Sequence, residues 1–411
     1  MSLVIVVADS LRHDVAGCFG GAARTPLLDR LALSSVLFER AISAAPWTVP
    51  SVSAMLTGIY PHRLGLAKWE QPWPESHPSL FDLARGAGFE VGSFVFDQRH
   101  LFSRVPAAGV VGSSQDLEPM LSWLAAHRGE RFVAFVHYWW THIPYVDKPM
   151  SMPAWRAATV RVLEAMRSGA AAVDGVKQLY LRAVERFSER FLRQLTDSLD
   201  LDATWLVMLA DHGEGFGERQ EVAALTDVFD LHGNTLYDEV LRVPLVIRPP
   251  GGTEPRRVRE IVRTVDLAPT TAELCGFGAL PDAGADLDGV SLAKCVRDGA
   301  SPPDLDALSV SNHDFVDLPE LPRDPRELWN GFALSTERYK QIWYPAEDRR
   351  MVFDLQADPG ETIDVADDCG DRLAPGWARL ACELERATVG ELDPDDVERV
   401  RRRLEGLGYL D

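Results

Sequence analysis

The side chains in this chain that could do chemistry stand at the ends of apolar runs. Asp9 closes Leu3-Val4-Ile5-Val6-Val7-Ala8, and Asp211-His212 closes Trp205-Leu206-Val207-Met208-Leu209-Ala210. Carboxylate oxygens and imidazole nitrogens are common donors to divalent cations. His137 follows a similar run, Arg131-Phe132-Val133-Ala134-Phe135-Val136, and opens His137-Tyr138-Trp139-Trp140-Thr141-His142-Ile143-Pro144-Tyr145. A further histidine, His232, begins His232-Gly233-Asn234-Thr235-Leu236-Tyr237. Thr48 lies in Trp47-Thr48-Val49-Pro50-Ser51, where a helix could start with Thr48 as its cap and Pro50 in its first turn. A hydroxyl at a helix N-terminus faces the positive end of the helix dipole, which together with a metal lowers its pKa and favours an anionic partner.

The elements that must position these groups read as an α/β fold. Short β-branched runs such as Leu3 to Ala8 are typical of strands buried on both faces, and Val243-Pro244-Leu245-Val246-Ile247 is another. Helical patterns lie between them, at Leu27 to Leu33, Ser79 to Gly86, Asp116 to Arg128 and the long stretch Ala154 to Ser198. Thr264-Val265-Asp266 opens another, with Asp266 or Thr264 as cap. The alternation predicts a largely parallel sheet flanked by helices, and ligands of such sheets bind beyond the carboxyl ends of the strands. The polar clusters should therefore meet in one crevice. The segment Ser301-Pro302-Pro303-Asp304 reads as a linker, dividing a catalytic domain over 1–300 from a smaller α+β subdomain over 301–411. In the latter, short strands are expected at Ala307 to Val310, Gly331 to Ser335 and Tyr339 to Tyr344, with a closing helix from Pro394 to Glu405.

Composition narrows the function. A chain of 411 residues with 46% hydrophobic content can fill a sizeable core, and a formal charge of −20 disfavours nucleic acid or an anionic membrane as partner. An anionic substrate then needs a local positive charge, such as a metal ion. The five cysteines are scattered, without a CxxC pair, which fits a reducing compartment better than a disulfide framework. No secretory leader or membrane span is apparent, so a cytoplasmic, soluble protein is expected.

Several motifs in order resemble the sulfatase and alkaline-phosphatase-like superfamily. Asp9-Ser10-Leu11-Arg12-His13-Asp14 resembles the sulfatase Asp-Asp-x-Arg-x-Asp start, and Thr25-Pro26-Leu27-Leu28-Asp29-Arg30-Leu31-Ala32 resembles the helix that follows it. Trp47 to Gly58 stands where sulfatases keep Cys-x-Pro-Ser-Arg. Ala210-Asp211-His212-Gly213-Glu214, His232 to Glu239 with Arg242-Val243-Pro244-Leu245, and Phe353 to Thr362 continue the likeness. The resemblance implies an alkaline-phosphatase-like fold and one divalent ion held by Asp9, Thr48, Asp211 and His212. It implies Thr48 as nucleophile, with His142 and His232 holding the transferred group's oxygens or protonating the leaving group. Arg12, Trp47, Trp140 and Asn234 are the expected substrate contacts, with Trp47, Trp139 and Trp140 forming an aromatic wall for an apolar or aromatic leaving group. His137 is expected to be an ordinary hydrogen-bonded histidine at a strand end. His313 and Asp314 could reach the pocket from the C-terminal segment.

Departures from the pattern set the expected chemistry. Sulfatases oxidise the cysteine to an aldehyde, whereas a threonine would give a ketone, so Thr48 should act as a plain alcohol. Val52 replaces the motif's arginine. Ser10 replaces an aspartate of the sulfatase calcium set, which suits Zn²⁺ or Mn²⁺ better than Ca²⁺ or Mg²⁺. Val95-Phe96-Asp97-Gln98 stands in place of a sulfate-binding Lys and His, and Trp140 where many relatives carry Asp. The expectation is a metal-dependent enzyme that hydrolyses or transfers phosphate mono- or diesters through a phosphothreonine. The alternatives are sulfate ester hydrolysis by the unmodified threonine and a non-catalytic ligand-binding protein. The substrate is expected to be a small anionic ester, and its identity and the oligomeric state stay open.

Overall fold

The computed structural model describes residues 1–67, 71, 73–74, 77–95, 109–113, 116–147, 150–219, 231–278, 287–312 and 324–390. Phe96 to Gln98, His313, Asp314 and the expected helix from Pro394 lie outside the described residues. The large sheet is built from β1 (Ser2–Ala8), β2 (Val36–Ile42), β3 (Glu90–Val95), β4 (Val110–Ser113), β5 (Phe132–Tyr138), β6 (Thr204–Leu209), β7 (Arg242–Arg248) and β8 (Arg256–Arg263). Their spatial order is β4-β3-β5-β1-β6-β7-β2-β8. Leu3 to Ala8 have no solvent exposure, as expected of a central strand covered on both faces.

The sheet is mainly parallel, and β7 alone runs against the rest, pairing antiparallel with both β6 and β2. The apolar run Val243 to Ile247 could not reveal this, because burial on both faces looks the same in either direction. Pro244 within it has no N–H to give, and it lies opposite the register shift of β2 between Phe38 and Ala41. Strands β2 and β8 escaped the sequence reading for a related reason. Glu39-Arg40 interrupts one, and the edge strand β8 is mostly charged, with Arg257, Arg259 and Glu260 exposed.

Other elements follow the sequence closely. Ser79 caps the helix Leu80–Gly86 in a capping box with Asp82. The long stretch of helical pattern from Ala154 to Ser198 is broken at Gly169, whose φ of 111° is costly for other residues, giving Met152–Arg167 and Ala170–Arg186 and then a π turn over Phe187–Leu192. Asp266 precedes the helix Leu267–Cys275 but does not cap it, because its carboxylate is taken by Arg263 and the N–H of Val290.

A second, antiparallel sheet follows, with β9 (Ala307–Ser311), β10 (Gly331–Ser335), β11 (Tyr339–Tyr344) and β12 (Arg349–Asp354) in the order β12-β11-β10-β9. Its edge β9 docks on the chain that leads to Thr48: Val310 N–H donates to the Ala44 carbonyl and Ser309 Oγ to that of Ser43. Among the described residues, no helix is long and apolar enough to cross a membrane.

Candidate active site

The adjacent strands β5, β1 and β6 place His137, Asp9 and Asp211 side by side, all three buried. In register, Val7 pairs with both His137 and Leu209, so Asp9 and Asp211 stand one dipeptide above His137 on the same face. Backbone groups then aim the carboxylates. Asp211 Oδ1 accepts N–H bonds from Ser10 (3.2 Å) and His212 (3.0 Å), which leaves Oδ2 toward the cluster. Ser10 makes its bond from a left-handed φ of 56°, a conformation braced by Tyr180, whose hydroxyl donates to the Ser10 carbonyl at 2.8 Å. Ser10 Oγ donates to Asp9 Oδ1 at 2.8 Å.

Thr48 arrives from the other side. It is the first residue of the helix Thr48–Thr57, and Trp47 rather than Thr48 holds the cap position. Ser51, one turn on, donates to the Asp211 carbonyl at 2.6 Å, and Ser43 Oγ bonds the same oxygen. The helix is thus fastened to the end of β6, and Thr48 Oγ1 lies 3.4 Å from Asp9 Oδ2 and 3.4 Å from His212 Nε2. His212 Nδ1–H donates to the Gly213 carbonyl at 2.8 Å, which leaves the Nε2 lone pair for a metal.

The donor set fits one divalent cation. Donors bound at about 2.0–2.2 Å in a tetrahedron stand about 3.3–3.6 Å apart. Here His212 Nε2 is 3.7 Å from Asp9 Oδ1 and 3.6 Å from Asp211 Oδ2, and His137 Nε2 is 3.1 Å from Asp9 Oδ2 and 3.5 Å from Asp211 Oδ2. Among the described residues, the ion partners of these two fully buried carboxylates are imidazoles. Burial opposes ionisation of Asp9, but His142, His137 and His212 outweigh it and hold the carboxyl far below its usual range. Burial likewise opposes a charge on His137, yet Asp211 and Asp9 raise it to about 9. The cluster draws positive charge, as a cation site must.

Beside this cluster, His232 and His142 face each other with ring centroids 5.0 Å apart, and His232 is 4.7 Å from His212. His142 Nδ1–H donates to the Ile143 carbonyl, whereas His232 Nδ1–H donates to Glu214 Oε1 at 2.7 Å. Tyr145 holds the second carboxylate oxygen through its hydroxyl at 2.8 Å. Burial lowers the pKa of His142. It also opposes a charge on His232, but there the Glu214 carboxylate prevails and the pKa rises. Glu214 is itself placed by its N–H bond to the Glu239 carbonyl. That carbonyl lies 2.1 Å from where a Cβ on Gly213 would stand, so the chain can approach only as glycine.

Not every expected substrate contact reaches the site. Arg12 donates to both Asp14 oxygens, to the Glu214 carbonyl and to Glu218, which commits four of its five N–H donors to holding loops together. Trp47 uses its indole N–H on Asn312 Oδ1 at 2.7 Å and has 2% exposure, so it braces the start of the helix Thr48–Thr57. Trp140 turns toward Trp155, whereas Trp139 stacks on His142 at 4.3 Å and meets His137 edge-on at 5.5 Å. Successive residues of the 3₁₀ turn Trp139–Thr141 project about 120° apart, which a sequence cannot phase. Asn234 is buried, and its carbonyl accepts from Tyr344. The sequence reading missed His137 as a member of the cluster and Glu214 and Tyr145 as supports of His232. The first carried a visible signal, since it follows an apolar run just as Asp9 and Asp211 do.

With this geometry in place, comparison with known proteins is informative. The sulfatase family model matches residues 2–107 and 111–277, and that of the N-sulphoglucosamine sulphohydrolase C-terminal region matches 228–385. The chain therefore belongs to the sulfatase family, within the sulfatase and alkaline-phosphatase-like superfamily of hydrolases. A Delta 4,5-hexuronate-2-O-sulfatase of Bacteroides thetaiotaomicron is 22% identical over 448 aligned residues, covering 93% of this chain and 86% of that protein. The solved structure of a 2-O GAG sulfatase superposes with a TM-score of 0.73 at 19% identity, covering 96% of each chain. A phosphonate monoester hydrolase of Agrobacterium radiobacter superposes with a TM-score of 0.68 at 20% identity, covering 93% of this chain and 95% of that one. At these identities the structural likeness establishes the fold.

Proposed function

We propose that the chain cleaves a monoanionic tetrahedral ester, with unoxidised Thr48 as nucleophile and one divalent ion held by Asp9, Asp211 and His212. The single observation that carries this reading is the placement of Thr48 Oγ1 at 3.4 Å from both Asp9 Oδ2 and His212 Nε2. The ion, when bound, lowers the pKa of the hydroxyl and offsets charge on the transferred group. Its imidazole donor, His212, supports zinc or manganese over calcium or magnesium, which prefer all-oxygen sites. Thr48 Oγ, having given its proton to water, forms a bond to the central sulfur or phosphorus as the bond to the ester oxygen breaks. That oxygen leaves with a proton from His232 Nε2, which recovers one from the attacking water or alcohol of the second step. Water, or an acceptor alcohol, then attacks the threonine ester and restores the free hydroxyl. His142 Nε2 is available to an equatorial oxygen, because Nδ1 is committed to Ile143.

The charge on the substrate follows from what surrounds it. Arg12 is committed to Asp14, Glu218 and a carbonyl, so the described residues offer imidazoles and one cation site. A single negative charge suits that supply, as in a sulfate monoester or a phosphate diester. The hexuronate sulfatase relative supports the sulfate ester. The unmodified alcohol at position 48 and valine at position 52 favour the phosphate diester as the second reading. Rates on nitrophenyl sulfate, bis(nitrophenyl) phosphate and nitrophenyl phosphate, with zinc or manganese supplied, test both. Turnover of one of the two monoanions, lost in Thr48→Ala, is expected. Undiminished turnover by Thr48→Ala on every substrate would falsify the nucleophile assignment.

A further inference from the structure

We infer that His137 is a direct ligand of the divalent ion, so that the site is a five-donor shell drawn from three neighbouring strands and one helix. This rests on the proposed ion at Asp9, Asp211 and His212. His137 Nε2 lies 3.1 Å from Asp9 Oδ2 and 3.5 Å from Asp211 Oδ2, beside 3.4–3.7 Å for the other donor pairs here. Those separations are what two atoms bound to one ion require: about 3.3–3.6 Å in a tetrahedral arrangement and about 3.0 Å between axial and equatorial positions of a five-coordinate one. Asp9 Oδ2 approaches both His137 Nε2, at 3.1 Å, and Thr48 Oγ1, at 3.4 Å, and so links the strand donors to the helix donor.

The fold explains why a histidine can reach. The β5 residue His137 is in register with Val7 of β1, one dipeptide below Asp9 on the same face. An imidazole nitrogen stands further from its own Cα than an aspartate oxygen does, which helps it cross toward the level one dipeptide up the strand. Trp139 meets the ring edge-on at 5.5 Å and limits its rotation. The other imidazole of the shell, His212, comes from the neighbouring strand end with its Nδ1 fixed on Gly213. The ion would thus have two nitrogen donors, two carboxylates and one hydroxyl, a mixed set that discriminates against calcium more strongly than Asp9, Asp211, His212 and Thr48 alone.

The test is spectroscopic and independent of turnover. The full chain is loaded with Co²⁺, its stoichiometry is measured, and its X-ray absorption and visible spectra are recorded for wild type and His137→Gln. The inference expects one ion per chain, two imidazoles in wild type and one in the variant, with displaced visible bands. A wild-type imidazole count of one overturns it without needing any variant to fold. So does a His137→Gln spectrum that superposes on wild type, since a histidine acting only through a hydrogen bond to Asp9 would leave the shell unchanged. Failure of the wild type to bind any ion overturns both this inference and the proposed metal chemistry, whereas one ion with a single imidazole overturns this inference alone.

Discussion

The strand-end cluster and the shoulder supplied by the small sheet solve different problems. In the cluster, Asp9, His137 and Asp211 are neighbours because β5, β1 and β6 are neighbours, and their side chains are aimed by hydrogen bonds to adjacent backbone. In the shoulder, contacts join residues far apart in the chain. Asn312 holds Trp47, and fully buried Lys340 reaches Asp238 at 2.5 Å and Glu361 at 2.6 Å. Those acids adjoin the short helix Asp238–Leu241, whose Glu239 and Val240 carbonyls accept from Glu214 and Gly213. The chemistry is thus local to the strand ends, while its alignment depends on distant sequence. Removing a cluster residue should abolish function in a folded protein, and removing a shoulder residue should first weaken the fold.

The largest effect is expected at Thr48. Thr48→Ala should lower kcat by more than about a thousandfold on whichever ester is turned over, with far-UV circular dichroism unchanged. Asp211→Asn should nearly match it and also release the ion, read by metal analysis after dialysis; full metal retention and activity would break the distinction between the two regions. Lys340→Met comes next, and it should act on stability. Removing one partner of a buried ion network costs about 3–5 kcal/mol, measured by chemical denaturation, because Asp238 and Glu361 lose the buried ammonium they share. An unaltered midpoint would show that the shoulder does not carry the load assigned to it.

Glu214→Gln sharpens the comparison, since this residue belongs to the site yet is placed by the shoulder. Losing the carboxylate that holds His232 should reduce kcat by roughly 10²–10⁴-fold for poor alcohol leaving groups, and by much less for nitrophenolate, which needs no proton. A uniform loss across leaving groups would assign Glu214 to structure alone. The smallest effect is expected at His13, in the turn after Asp9. Burial and then Arg242 lower its pKa to about 3, so the folded state resists a proton that the unfolded chain accepts. Its stability contribution is full above the ordinary value near 6.5 and is lost as pH falls toward 3, by at most about 1.4 kcal/mol per pH unit. His13→Phe should flatten that part of the pH–stability curve; an unchanged slope between pH 6 and 4 would contradict the cause.

Much of the cluster was legible because strand ends announce themselves. Leu3 to Ala8 and Trp205 to Ala210 are unbroken apolar runs, and the polar residue that ends each one has to stand at the crevice. The same rule applied to His137, but reading it as an isolated strand-end histidine missed that β5 is the direct neighbour of β1. Spatial order is a tertiary property, set by crossover helices that the sequence pattern does not rank. Arg12 misled for the converse reason: a motif arginine looks like an anion contact until Asp14 and Glu218 are seen to surround it. The direction of β7, the facing of Trp139 against Trp140, and the Lys340 network all depend on contacts across more of the chain than any local pattern spans.

The account rests on Thr48 forming a covalent bond to the transferred group without prior oxidation. Rapid acid quench of wild-type enzyme during turnover, followed by peptide mass mapping, tests this most directly. The prediction is an intact threonine at position 48 in the resting protein and a sulfo- or phosphothreonine there during turnover. Active enzyme whose Thr48 peptide stays unmodified throughout, with the group found on another residue or on none, would contradict it.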